Sequence, residues 1–463
     1  MTTERIANKY WALLAIGAFI RLTLCWVNPA ANAFDDHFEP VQLIVEKGAL
    51  PGKLDCWQCY QPPVFYVAGA CVAKLLFMLG VGVASVMKCL QLLNCLYGIV
   101  TLWFVLLILR LLPLSDFSRF LAFGMTCFLP RHIYMCAMHS NDTLSYLLVA
   151  VCLWFLVMII SGRDSFHNLA ALGLSICAAL FTKYTTFSII PVVGLSMALL
   201  PLRDKPLRAA VRDGIGVLFL PMLLLGIFMI DNKLRYGAAL PYNVAIFDPA
   251  HIQPRDPGGA EFTSFAPARF VKRPILWPGQ VSSFWTLLYS SMWFDTEPKF
   301  LPLFKHGDLA WWITYFQWLK GETPAPPAFK TTTPFVAATG STLIALGLVP
   351  LVFVITGLVR LVHTVKDSLA TRRWDDTLSL QPFVVLLLLN LAGIVQLTIR
   401  LPVFCAMKGS YLLPSLPSLG VLLALGIMTW ESHRTFRFVC GGFFAMLFMT
   451  VIASTLAMVI NLA

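Results

Sequence analysis

Two adjacent carboxylates, Asp35 and Asp36, stand in the run Phe34-Asp35-Asp36-His37-Phe38-Glu39, a few residues past the first long apolar stretch. A carboxylate held at a membrane surface can act as a general base or bind a cation. The same pair also suits the opening turn of a surface helix, where Asp accepts backbone N–H groups. Cys56-Trp57-Gln58-Cys59 follows. Structural zinc wants four ligands and only His37 is an obvious third, so a local disulfide or two plain thiols fits an oxidising compartment better. Tyr60-Gln61-Pro62-Pro63-Val64-Phe65-Tyr66 then forces extended backbone ahead of an aromatic run.

The other chemistry-bearing residues lie inside apolar runs or at their ends. Arg131 and His132 follow Pro130, and His139, Asn141 and Asp142 come just after. Lys183 closes another run, while Arg400 and Lys408 bracket a short connection with Tyr411 beyond it. Ionisable residues within spans are costly, so they default to functional roles. Long cationic side chains also snorkel to headgroups, a reading that suits Arg400. Taken together, the cations collect on one side, where an anionic headgroup would sit.

These groups must be positioned by a membrane protein. Charged residues make up 12% of 463 and the apolar set 58%, against roughly 25% charged in a soluble domain. A soluble enzyme, a disordered chain and a coiled coil are thereby excluded. The net charge of +11 does not point to nucleic acid, because the basic residues sit in short stretches between apolar runs rather than on a soluble face. The twelve cysteines are scattered and form no secreted disulfide scaffold. The first apolar run lacks a small-residue cleavage site and reads as a signal anchor.

Runs of about 20 apolar residues predict eleven spans, near 10–28, 84–112, 118–138, 143–161, 166–183, 185–202, 213–231, 335–361, 381–399, 412–430 and 437–460. The run 62–80 opens on Pro62-Pro63 and carries Lys74. It reads as a helix lying in or dipping into the interface. Keeping it out of the count places Arg5, Lys9, Arg110, Arg119, Arg163, Arg203, Lys205, Arg208, Arg212, Lys366, Arg372, Arg373, Arg434 and Arg437 in the cytoplasm, as the positive-inside rule requires. The N-terminus is then inside and the C-terminus outside. The chain 1–463 reads as one membrane domain, with a first outer loop and interfacial helix over 29–83 and a long outer cap over 232–334. Pro254, Pro257, Pro267, Pro274, Trp277, Pro278, Trp285 and Trp293 mark that cap as ordered and functional.

The order of motifs resembles the GT-C superfamily of polyprenyl-phosphate-sugar-dependent glycosyltransferases, and within it the family 39-type branch of protein O-mannosyltransferases and lipid A aminoarabinose transferases. The matching residues are Asp35-Asp36-His37-Phe38, Gln61-Pro62-Pro63-Val64-Phe65-Tyr66, Ser140-Asn141-Asp142-Thr143-Leu144 and Lys408-Gly409-Ser410-Tyr411-Leu412-Leu413-Pro414. The pair is Asp-Asp where many members carry Asp-Glu. Gln61 replaces the His before Pro-Pro, and Ser410 stands where many relatives have Arg. The resemblance implies an all-α GT-C-like fold and inverting transfer of a sugar to an extracytoplasmic glycolipid, glycan or protein. It implies a catalytic Asp at Asp35, with Asp36 in support.

The chemistry suits the residues as well. A polyprenyl-phosphate sugar brings a good leaving group, so a base must activate the acceptor and cations must steady the departing phosphate. Arg131, Lys183, Arg400 and Lys408 are the candidate cations. His37, Tyr60, Gln61, His139, Asn141, Asp142 and Tyr411 complete the expected binding residues. No cofactor is expected. The expected partners are the polyprenyl-phosphate sugar donor, membrane lipid and an unidentified acceptor, in a bacterial plasma membrane with the site facing outward. The alternative is a secondary transporter of a small polar or anionic substrate. Transporters favour midplane sites and internal repeats, which this sequence does not display.

Overall fold

The computed structural model describes residues 6–30, 36–203, 205–241, 260–276, 283–297, 314, 317–319, 322–324, 334–400 and 407–462. Among them all regular structure is helical. The first half holds α1 (Asn8–Val27), α2 (Phe38–Lys47), α3 (Val64–Met78), α4 (Val83–Leu111), α5 (Asp116–Cys127), α6 (Pro130–Cys136), α7 (Asn141–Ile160), α8 (Phe166–Leu180), α9 (Ile189–Leu199) and α10 (Leu207–Tyr236). Two short turns, Ala260–Thr263 and Ala268–Lys272, precede α11 (Phe284–Trp293). The rest comprises α12 (Pro334–Leu346), α13 (Leu348–Thr371), α14 (Asp375–Arg400), α15 (Leu416–Met428) and α16 (Arg434–Leu462).

Among the described residues nine helical segments are long and apolar enough to cross a membrane. Two of the eleven expected spans take another form. The run 118–138 splits into α5 and α6, with Leu129 extended and Pro130 at the first position of α6. Proline removes an N–H and disfavours helix at the residue before it, so the break falls where the sequence puts it. The run 166–183 yields α8, a helix of 15 residues. The run 62–80 yields α3, also 15 residues and apolar.

The break between α5 and α6 is held by a buried cation. Arg21, in α1, is fully buried. Its Nη1 donates to Gly17 O at 2.8 Å and to Cys127 O, on the last residue of α5, at 2.7 Å. Its Nη2 lies 2.8 Å from His132 Nδ1 in α6. A helix end in an apolar interior needs such partners for its orphan carbonyls.

Around this break α1 packs on α4, α5 and α16, α7 packs on α4 and α8, and α13 packs on α15. The α13–α15 approach depends on Gly357 and Gly426. A Cβ on either would collide with backbone, Leu422 O or Phe353 O respectively, the close contact that small residues allow between helices in a membrane. α15 is the most buried of the candidate spans and α10 the least. α10 turns Leu207, Phe219, Ile227 and Ile230 outward, toward the surface a bilayer would cover.

The bundle has two distinct ends. At one, α1 and α6 finish, α4 and α7 begin, and α2 and α3 attach; this is called the loop-bearing end below. The opposite end carries the start of α1 and α5.

Candidate active site

Three groups of the residues singled out from sequence gather at the loop-bearing end. In the first, Ser140 is extended and its Oγ accepts the Asp142 N–H at 3.2 Å, opening α7. The carboxylate of Asp142 is thereby fixed at the helix start. Its Oδ1 lies 2.8 Å from Lys183 Nζ and 3.1 Å from the Tyr146 hydroxyl, and its Oδ2 accepts from Ser140 Oγ at 2.8 Å. Tyr146 also reaches Ser410 O at 2.9 Å. Lys183 Nζ sits 5.8 Å above the Tyr411 ring. Arg131 Nη2 lies 3.5 Å from Ser410 Oγ, while its buried Nε has no hydrogen-bond partner among the described residues. Asp142 and Lys183 are each 7% exposed and Arg131 2%. Asn141, beside Asp142, donates to Thr182 O at 3.2 Å and so ties the start of α7 to the residue before Lys183.

The second group is aromatic. His37 Nδ1 lies 2.9 Å from the Tyr66 hydroxyl, and the two rings stack with centroids 5.9 Å apart. Phe65 meets His37 edge-on at 6.2 Å and His139 at 5.2 Å. His139 lies in the α6–α7 connection. Burial, with the nearby His37 charge as a second cause, pushes its imidazole down to about 3.

The third group braces the loop before α3. Gln61 Nε2 donates to the Tyr60 hydroxyl at 2.6 Å. Tyr60 O accepts from Tyr184 OH at 3.0 Å and from Lys53 Nζ at 3.1 Å. Cys56 and Cys59 are joined as a disulfide with Cα atoms 5.1 Å apart, one of the forms the sequence leaves open. Val64 N–H donates to Phe181 O at 2.8 Å, docking the start of α3 on the end of α8.

Asp36 behaves as a cap. Its Oδ1 accepts the N–H of Phe38 at 2.7 Å and of Glu39 at 3.3 Å, opening α2. Asp35 lies outside the described residues. Lys408 reaches Glu297 Oε2 at 3.7 Å, with both side chains largely buried. Arg400 is exposed at the end of α14, apart from these groups among the described residues.

Sequence reasoning missed Asp295, Glu297 and Arg21. Asp295 and Glu297 are buried directly after α11, and Leu276 N–H donates to Thr296 O between them at 2.9 Å. No periodicity in the long 232–334 segment marks them. Arg21 did carry a signal, a lone cation within the first apolar run. Among the described residues no three His, Cys, Asp or Glu side chains are grouped to hold a metal ion.

No protein-family model matches the sequence, and no curated protein matches it. Solved structures do resemble it. The Archaeoglobus fulgidus oligosaccharyltransferase in complex with zinc and sulfate aligns over 96% of this chain and 53% of its own, with a TM-score of 0.51 and 11% identity. The archaeal oligosaccharyltransferase AglB from the same organism, in complex with an inhibitory peptide and a dolichol-phosphate, aligns over 97% and 56%, with a TM-score of 0.51 and 12% identity. ArnT from Cupriavidus metallidurans bound to undecaprenyl phosphate aligns over 92% and 80% at 15% identity, with a TM-score of 0.39 that is too low to bear on the fold. The chain spans about half the length of the oligosaccharyltransferases it matches. Over nearly its whole length, then, it shares the all-helical fold of these oligosaccharyltransferases.

Proposed function

We propose that the chain is an integral-membrane glycosyltransferase that moves a sugar, with inversion, from a polyprenyl-phosphate donor to an extracytoplasmic acceptor. The observation that carries this reading is the gathering of the buried Arg131, Asp142 and Lys183 with the largely buried Lys408 at one end of this fold. One protein sharing the fold was solved with dolichol-phosphate. A buried cation beside a dry lipid-facing bundle suits a phosphate that must gain charge as its bond to sugar breaks.

In this reading Asp35 is the general base and Asp36 supports it. The capping bonds of Asp36 favour that division, because they leave its carboxylate occupied with backbone. Arg131 and Lys408 take the donor phosphate, with Arg400 at the rim. Lys183 is held by Asp142 at 2.8 Å, whereas Lys408 sits 3.7 Å from Glu297. His37, His139, Tyr60, Gln61, Asn141 and Tyr411 shape the sugar pocket. The 232–334 segment, through the buried Asp295–Glu297 stretch, bears on acceptor choice. The site faces away from the cytoplasm.

The test is single-turnover transfer from a radiolabelled polyprenyl-phosphate sugar by purified, folded protein. Asp35→Asn should slow transfer by about 10²-fold or more, and Lys408→Ala should raise the donor KM. Near-normal rates in both Asp35→Asn and Asp36→Asn would overturn the assignment of the base. Uptake of a small anion into vesicles, with no transfer from any donor, would favour the transporter reading instead.

A further inference from the structure

Lys88, Gln91 and Asn94 fall at i, i+3 and i+6 along α4, so they share one helix face. Gln91 and Asn94 are almost completely buried. Polar side chains in a span are costly unless their hydrogen bonds are met, and here they are met in an unusual way. The amide and ammonium donors point at backbone carbonyls of two chain segments that are distant in sequence.

On one side is the end of α1. Lys88 Nζ donates to Cys25 O at 3.1 Å, Trp26 O at 3.2 Å and Asn28 O at 2.6 Å. Gln91 Nε2 donates to Asn28 O at 3.1 Å and Pro29 O at 3.2 Å. A cation at a helix C-terminus satisfies orphan carbonyls and complements the dipole. On the other side is the α6–α7 connection. Gln91 Nε2 also donates to Ala137 O at 2.7 Å, and Asn94 Nδ2 donates to Met138 O. Asn94 Oδ1 accepts from Thr143, the neighbour of Asp142. Two links complete the lattice: Lys88 Nζ to Gln91 Oε1 at 2.7 Å, and Asn28 Nδ2 to Ala137 O at 2.7 Å.

The first segment leads within eight residues to Asp36, and the second within five to Asp142. Side chains serving only to glue helices together would bond to neighbouring side chains or to mid-helix carbonyls. These instead take hold of both segments at the points where they leave the bundle. We infer that the Lys88–Gln91–Asn94 face of α4 is a positioning device that sets the chain leaving α1 at Asn28–Pro29 and the 137–142 connection in one register, so that the first loop departs from a fixed place relative to the Asp142–Lys183 pair. These residues touch no substrate. Their effect on catalysis rests on the proposed glycosyltransferase reading; their effect on the two segments does not.

The experiment uses the full chain in nanodiscs and compares the wild type with Gln91→Met, which keeps side-chain length and loses the donor. Amide hydrogen exchange should quicken about tenfold in both the end of α1, 24–30, and the 137–142 connection, with the rest of the chain within about twofold. Transfer from a polyprenyl-phosphate sugar should lose about tenfold or more in kcat while the donor KM stays within about twofold. If Gln91→Met does not fold, Lys88→Met is read against Lys88→Arg, which retains donors. Exchange in 24–30 should then rise in the Met variant alone. Unchanged exchange in these segments, exchange that rises for Gln91→Met in only one of them, or transfer that is unaffected once both loosen, would overturn the inference. A wild type that transfers from no polyprenyl-phosphate sugar would refute the glycosyltransferase reading, while the exchange measurement still decides whether α4 couples the two segments.

Discussion

The two ends of the bundle use the same ion-pair chemistry in different surroundings. At the end opposite the site, Lys9 pairs with Asp116 and Arg203 with Asp375, with side chains 35–64% exposed. At the loop-bearing end Lys47–Asp55 is exposed as well, but the inner pairs Asp142–Lys183 and Lys408–Glu297 involve side chains 7–12% exposed. Lys205 is intermediate, bridging exposed Asp164 and buried Asp213. Exposed pairs give little, with a median of about 0–1 kcal/mol. Buried pairs incur a desolvation cost of several kcal/mol per ion and recover it only through good geometry. The opposite end is therefore anchored cheaply and tolerates change. The loop-bearing end holds its two inner pairs at a cost that stability alone does not explain.

The largest expected effect breaks the buried pair. Asp142→Asn keeps a hydrogen-bonding group beside Ser140 and Tyr146 but leaves Lys183 buried with no carboxylate, and should destabilise by about 3–5 kcal/mol. Denaturant unfolding in mild detergent measures it. A loss no larger than that of Asp116→Asn would erase the contrast between the ends.

A smaller effect comes from pH. His139 is held neutral down to about 3, whereas in an unfolded chain it takes a proton near 6.5. The unfolded state thus binds more protons between these values. The stabilisation is fully present above about 6.5 and is lost as pH falls toward 3, at about 1.4 kcal/mol per unit. From pH 7 to pH 5 the loss should be about 2 kcal/mol, and His139→Phe should remove it. Equal slopes for wild type and variant would show that His139 is hydrated after all.

The smallest effect should come from Lys9→Met. It should cost about 1 kcal/mol or less at low salt, and nothing measurable near 1 M salt, where screening acts over about 3 Å. Asp142–Lys183 should be insensitive to the same salt, and a matching salt response at both ends would undo the comparison.

The reach of sequence reasoning follows the same divide. Long apolar runs are legible because a span must be about 20 residues long, and nine appear among the described residues as segments able to cross a membrane. The split of 118–138 was signalled by Pro130. Hydropathy windows average across such a point, so the run reads as one span. Asp142 and Lys183 each stand out as charges in apolar context, but their pairing joins residues 41 positions apart, and spacing carries no trace of it. Arg131 and Ser410 are likewise brought together only by the packing of α6 against the start of the 409–415 turn. Asp295 and Glu297 are hidden because an irregular segment has no period from which burial can be read.

Arg21 has a consequence for how the protein is made. α1 emerges from the ribosome well before Cys127 and His132, the groups that later receive its guanidinium. Arg21 lies six residues from the end of α1, about 9 Å at 1.5 Å per residue, too deep for its charge to be ignored. A central arginine costs about 2.5–3.5 kcal/mol on insertion scales, and the α5–α6 break supplies the polar berth that offsets it. α1 is therefore at home in the bundle only together with a break that follows it by about a hundred residues.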